Sequence, residues 1–394
     1  MELNFENGAL LLLVSAVVAI FTRRLRLPYS VGLVTAGIIL ALLPFSPDIE
    51  LTKDLLFKVL LPPLIFEAAF ELNWQQLRKD LPVVLVLATV GVGLSAGITT
   101  IGMHYLASWQ WLSALIFGVL IAATDPVSVI ATFKEAKARG RLLLLIESES
   151  LLNDGTAAVL FAVCLEIASG GNVSALAITG KLLITVGGSL ACGAVVAGGA
   201  LLLVGRTDDH LVEITFTTVA AYGSFLLAEH LHLSGVLATL IAGLMLGNIG
   251  PLRVGNSRGR EAVQAFWEYG AFVANSFVFL LIGMREAHQH FHAEWLSVLI
   301  AIPLVVMARS IAVYPCCALF WRSPLRVTLR HQHIMFWGGL RGALALALAL
   351  ALPLDLPHRE AIVTASFAVV AFSVFVQGLT LTPLLRRFGE IEAR

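Results

Sequence analysis

Apolar residues run along this chain in about thirteen stretches of a length that lets a helix cross a hydrocarbon layer about 30 Å thick, and polar residues gather in short connections between them. With about 20 residues per crossing as the ruler, the pattern predicts helices near 8–22, 31–46, 55–71, 81–106, 112–133, 143–168, 175–204, 211–229, 233–248, 263–284, 296–321, 331–353 and 360–385. Two of these stretches are interrupted. In the fifth, Thr124-Asp125-Pro126 brings a residue that lacks an amide donor and clashes with the preceding turn, so a break is expected at the proline. In the twelfth, Gly338-Gly339-Leu340-Arg341-Gly342 permits an unwound backbone. The breaks stand seven spans apart, as expected for an inverted-topology repeat whose two broken helices cross. The predicted organisation is a single membrane domain over 1–394. Within it, 1–168 forms a first repeat, 169–210 a linking helix, and 211–394 a second repeat, with no soluble regulatory domain.

Composition agrees with this pattern. Of 394 residues, 58% are hydrophobic and 13% charged, and the mean hydropathy is +0.88; a soluble domain carries about a quarter charged residues. Lys and Arg number 26 against 26 Asp and Glu, so no overall excess of positive charge points to nucleic acid as a partner. The distribution says more than the sum. Arg23, Arg24 and Arg26, then Arg78 and Lys79, Lys134, Lys137, Arg139 and Arg141, and Arg322, Arg326 and Arg330 fall on alternate connections, against Lys53, Lys181, Arg285 and Arg359 on the others. Basic connections stay in the cytoplasm, so an odd number of spans puts the amino terminus outside and the carboxy terminus inside. Met1 to Glu6 lack the basic segment of a cleaved signal, so the first apolar stretch is expected to remain as a helix. Cys164, Cys192, Cys316 and Cys317 lie within apolar stretches and read as small core residues. Gly91-Val92-Gly93 and Gly187-Gly188 fit close helix packing. His288, His290 and His292 alternate in a connection and read as solvated rather than as metal ligands.

Charges inside the spans carry the chemistry, because an ionisable residue in hydrocarbon is costly and marks a partner or a pathway. Glu67, Asp125, Asp154 and Arg341, each on a different span, fall roughly 15 to 20 Å into the layer at a rise of about 1.5 Å per residue. On the sixth span, Ser150 and Asp154 share one face, and so do Glu149 and Asn153. At about 100° per residue, Glu149 and Asp154 point roughly 140° apart. The expectation is therefore that Ser150 and Asp154 hold an ion while Glu149 forms a structural ion pair with Arg341. Arg309, lone on the eleventh span, reads as a counter-charge. Asp125 and a basic partner are expected to compensate the ends of the half-helices, and Asp125 is also a candidate for direct or water-mediated contact with the ion. Ser150 has no evident His or Lys to activate it, and no nucleotide or metal motif appears, so an enzyme is not expected.

Pro62-Pro63 with Glu67, Ala123 to Pro126, Glu149 to Asp154, Phe266-Trp267-Glu268 and Gly338 to Gly342 together resemble the NhaP and sodium-hydrogen exchanger branch of the cation/proton antiporter superfamily, over essentially the whole chain. The resemblance implies a core domain from helices 4 to 6 and 11 to 13, moving against a dimerisation domain from helices 1 to 3 and 8 to 10. It implies that a cation, sodium or lithium, is held by Asp154, Ser150, Glu67 and the Thr124 carbonyl, and that Asn153 positions Glu67 or Asp154. Asn153 before Asp154 matches the electroneutral group, one proton per cation. A homodimer in a bacterial inner membrane, with no cofactor beyond the transported ions, completes the implication. Two alternatives stand beside it: potassium/proton exchange on the same fold, and a cation channel.

Overall fold

The computed structural model describes residues 5–25, 27–43, 51–125, 130, 140–168, 175–204, 209–249, 257–287 and 294–390. Pro126, the three alternating histidines and residues 250–256 of the connection from Ile249 to Ala262 lie outside the described residues. Helices account for nearly all of what is described: α1 (Phe5–Leu25), α2 (Tyr29–Leu42), a π-helical turn at Leu55–Leu60 that runs into α3 (Leu61–Glu71), α4 (Trp74–Ala107), α5 (Trp111–Leu120), α6 (Arg141–Ala168) and α7 (Ala175–Val204). They continue with α8 (His210–His230), α9 (Gly235–Asn248), α10 (Ser257–Glu286), α11 (Trp295–Ala318), α12 (Leu329–Trp337), α13 (Ala343–Leu350) and α14 (Arg359–Arg387). Among the described residues, eight helices are long and apolar enough to cross a membrane, and the shorter α2, α5 and α9 are also apolar. Outward-facing Leu13, Ile20, Phe21, Leu183, Ile184, Val195 and Leu202 are exposed, as lipid contact requires.

The chain forms two compact units. One comprises Met1–Lys53, Asp80–Ala157 and Ser276–Arg394; the other comprises Asp54–Lys79 and Ala158–Asn275. Helix association in lipid gains little from the hydrophobic effect and depends on close packing and interhelical hydrogen bonds. The second unit meets this need with a core of Phe66, Phe70 and Trp267 set among Ala197, Ala200, Ala220, Ala221 and Ala242. The small alanines let the helices approach the aromatic rings. Phe66 and Trp267 have ring centroids 4.4 Å apart, and Trp267 Nε1 donates to Thr217 Oγ1 at 3.0 Å. The Phe266-Trp267-Glu268 motif thus supplies a core anchor.

In the first unit, α2 meets the last turns of α10 almost backbone to backbone. A Cβ on Gly37 would strike the Leu280 carbonyl oxygen, and one on Gly283 would strike that of Val34. Tyr29 Oη and Ser276 Oγ are hydrogen-bonded at 2.8 Å. α1, α2 and the end of α10 fall in the unit that also holds α11 to α14. In the same unit, Arg141 at the start of α6 donates from Nε and Nη2 to Asp80 Oδ1 at 2.9 and 2.7 Å and from Nη2 to the Leu325 carbonyl at 2.7 Å, tying three elements at one end. The helices are also locally irregular. α4 contains a π-turn at Leu87–Gly91, α14 contains one at Ser373–Gly378, and α11 carries Pro303 and Pro315.

Candidate functional site

The fifth span ends as a helix at Leu120, earlier than the proline that was expected to stop it. From there to Asp125 the backbone is unwound, and it meets the unwound stretch between α12 and α13. Asp125 N–H donates to the Leu340 carbonyl at 2.8 Å, in an isolated antiparallel bridge, and Leu340 N–H turns back to the Gly338 carbonyl at 2.8 Å. Each broken helix leaves backbone groups without intrahelical partners, and these must be satisfied where no water competes. Arg341 does this for the end of α5: its Nη1 donates to the carbonyls of Ala122 and Ala123 at 3.0 and 3.1 Å. A guanidinium suits this position, at the negative end of a helix. On the other side, the Asp125 carboxylate lies against Gly342, the residue that precedes the positive end of α13. A Cβ on Gly342 would come within 2.6 Å of Asp125 Cγ, so only glycine allows the approach.

The middle of α6 lies beside this crossing. Asn153, fully buried, accepts from Thr124 N–H at 3.2 Å and donates from Nδ2 to Thr124 Oγ1 at 2.6 Å and to Glu149 Oε1 at 3.1 Å. Ser150 Oγ is hydrogen-bonded to Thr124 Oγ1 at 3.0 Å. Helical spacing therefore brings Ser150 and Asn153 onto the unwound Thr124. Asn153 does not position Glu67 or Asp154 as the resemblance implied, because both of its amide protons are already committed to Thr124 and Glu149.

The expected ion pair needs the same kind of correction. Glu149 pairs with Arg309, not with Arg341: Arg309 Nη1 and Nη2 donate to Oε1 and Oε2 at 2.8 and 2.9 Å. Both residues are buried, at 1% and 7% exposure. Arg309 Nη2 also donates to the Met335 carbonyl at 3.2 Å, near the end of α12. Position on α6 told which way Glu149 points, but not which neighbouring helix supplies the cation; Arg341 is occupied with the α5 carbonyls. The fork geometry of a guanidinium on a carboxylate makes this a strong, oriented pair, so Glu149 has little left to offer a transported ion.

Asp154 stands apart from these bonds. Its Oδ1 is buried and, among the described residues, has no hydrogen-bond partner. Glu67 is half-buried on α3 in the second unit, and Thr124, Asp125, Ser150, Asn153 and Asp154 belong to the first. The sequence assigned Arg341 to Glu149 where the structure supplies Arg309, and it missed Gln377 on α14, which touches the end of α12. Its only sequence signal is a polar side chain in an apolar stretch.

Two broken segments crossing beside a buried, unsatisfied carboxylate define a polytopic membrane carrier with an all-α, inverted-repeat fold. The chain belongs to the sodium/hydrogen exchanger family: the description "Sodium/hydrogen exchanger, transmembrane" matches residues 10–387. It is a transport protein, not an enzyme. The chain is 37% identical to the "Low-affinity Na(+)/H(+) antiporter NhaS1" of Synechocystis sp., over 97% of its own length and 74% of that protein's. It is also 37% identical to the "Na(+)/H(+) antiporter ApNhaP" of Aphanothece halophytica, over 94% and 71% of the two chains. The sodium proton antiporter MjNhaP1 of Methanocaldococcus jannaschii has the same fold, with a TM-score of 0.77 at 20% identity over 97% of this chain and 98% of that one.

Proposed function

We propose that the protein exchanges one sodium or lithium ion for one proton across the membrane, by exposing Asp154 alternately to the two sides. The observation that carries this reading is the buried Asp154 Oδ1 without a hydrogen bond, next to a Glu149 whose charge Arg309 already cancels. A buried carboxylate oxygen must be compensated. A proton or a cation can do so, but not both at once, and that exclusion couples two opposed flows. Thr124 and Ser150, presented by the unwound backbone and by α6, are the proposed oxygen ligands beside Asp154, with Glu67 as a further one; Asp125 acts near the ion or through the half-helix end. Asn153 holds Thr124 in place.

The same reading gives electroneutral exchange, because one proton and one monovalent cation compete for the single Asp154 carboxylate. The two repeats are taken as 1–168 and 211–394 joined by 169–210, supported by the matched positions of the two breaks. The distribution of basic residues supports an external amino terminus and a cytoplasmic carboxy terminus. A homodimer is part of the proposal and is checked by the mass of the protein–detergent complex. The deciding experiment is exchange in proteoliposomes under an imposed proton gradient, with a potential-sensitive dye present. Sodium should drive proton movement without generating a potential, and Asp154→Asn should abolish exchange in a folded protein. Exchange retained by Asp154→Asn would refute the assignment.

A further inference from the structure

The π-turn at Ser373–Gly378 interrupts α14 where it passes the end of α12. Turns of this kind are rare and recur at functional sites, because the extra residue redirects side chains. Here the turn carries Gln377, which is buried and held between two partners. Its Oε1 accepts from Ser373 Oγ at 2.8 Å, which fixes the amide orientation, and its Nε2 donates to the Trp337 carbonyl at 3.2 Å. Trp337 is the last residue of α12, and its carbonyl is one of those the broken helix leaves without an intrahelical donor. Trp337 Nε1 in turn donates to Thr380 Oγ1 at 2.8 Å.

A small void of about 10 Å³, room for about one water, lies beside this end of α12, lined by Arg309, Phe336, Gly339, Arg341, Ser373 and Gln377 among others. Hydrogen bonds from Gln377 and Arg309 hold the final carbonyls of α12. From Trp337 the chain runs through Gly338 and Gly339 to Leu340, whose carbonyl receives the Asp125 amide next to Thr124.

We infer that Gln377 is a positioning residue for cation binding: its amide caps the broken twelfth span and so fixes the Leu340 carbonyl, and through it Asp125 and Thr124, without touching the ion. The two half-helix ends then have parallel devices, a guanidinium at α5 and a neutral amide, with Arg309, at α12. This inference rests on the exchanger reading above. Loss of the cap displaces a ligand-bearing backbone but leaves the Asp154 carboxylate as it is. It weakens cation affinity more than turnover.

The test uses the full-length protein in proteoliposomes, with sodium titrated against an imposed proton gradient. Gln377→Met keeps the shape and removes the donor, and Ser373→Ala removes only the group that orients the amide. Gln377→Met should raise the sodium KM about tenfold, the effect of one lost hydrogen bond, with kcat changed less than about twofold. Because proton and sodium compete for Asp154, weaker sodium binding lets the proton prevail to higher pH. Half-maximal exchange at fixed sodium then moves about 1 pH unit upward for a tenfold change. Ser373→Ala should move both readouts in the same direction by less, and it keeps the test open if Gln377→Met does not fold. A folded Gln377→Met with unchanged KM and pH profile, or with kcat alone reduced, overturns the inference while leaving the exchanger reading intact. If Gln377→Met does not fold, a Ser373→Ala protein indistinguishable from the wild type overturns it equally. Wild-type protein that moves no protons with sodium, lithium or potassium overturns both.

Discussion

The pairing of Glu149 with Arg309 can be measured against the alternative that helical spacing suggested. Both Arg309 guanidinium nitrogens reach a different oxygen of Glu149, at 2.8 and 2.9 Å, and both residues are buried. Arg309→Met leaves that carboxylate in the interior with only the Asn153 amide as donor, and an uncompensated buried charge of this kind costs about 3–5 kcal/mol. If Glu149 is first made neutral by Glu149→Gln, the same Arg309→Met change removes weaker bonds and costs less. The double-mutant cycle should therefore show a coupling of about 2–3 kcal/mol. Arg341→Met removes bonds to the Ala122 and Ala123 carbonyls, which residue 149 does not contact. Its cycle with Glu149→Gln should stay within about 1 kcal/mol of additivity. Equilibrium unfolding of detergent-solubilised protein, followed by tryptophan fluorescence, gives the four free energies of each cycle. A coupling to Arg341 equal to or larger than that to Arg309 would refute the assignment.

Asn153→Ala removes two hydrogen bonds to Thr124 and one to Glu149 and leaves the Thr124 amide buried without an acceptor, a loss of about 1–3 kcal/mol that should appear as a sodium KM raised roughly ten- to a hundredfold in proteoliposome titrations. Gly342→Ala places a methyl against the Asp125 carboxylate, which cannot withdraw while its amide is bonded to Leu340. Overpacking of about 1–3 kcal/mol at the crossing should reduce exchange about tenfold or more while the protein still purifies as a folded species; wild-type flux from this variant would mean the contact is unimportant.

The spans were legible because the bilayer sets one length for all of them, and a run of apolar residues from 143 to 168 or from 175 to 204 reports that length directly. The break in the twelfth span was legible in its glycines. The end of α5 at Leu120 was not, because its stop comes from the crossing itself, where the bridge to Leu340 and the Arg341 contacts to Ala122 and Ala123 replace helical bonds. Partners were the least legible. Periodicity says that Glu149 and Asn153 share one face of α6 and Ser150 and Asp154 another; that Ser150 and Asn153 both reach Thr124 comes from the fold. Periodicity does not say which helix stands opposite, and so the sequence offered Arg341 where the fold supplies Arg309. The same holds for α2, whose tie to α10 depends on glycines far apart in the chain, and for Gln377, whose direction is set by a π-turn that the residues Ser373 to Gly378 do not announce.

The bridge between Asp125 and Leu340 uses an amide and a carbonyl, groups that nearly every amino acid possesses. A joint of that kind is indifferent to the identity of the side chains around it. Mutation can therefore exchange the oxygens near Thr124 and Ser150, and with them the preference among alkali metals, while the scaffold that presents them is inherited unchanged. Selectivity and architecture are in this sense free to evolve separately.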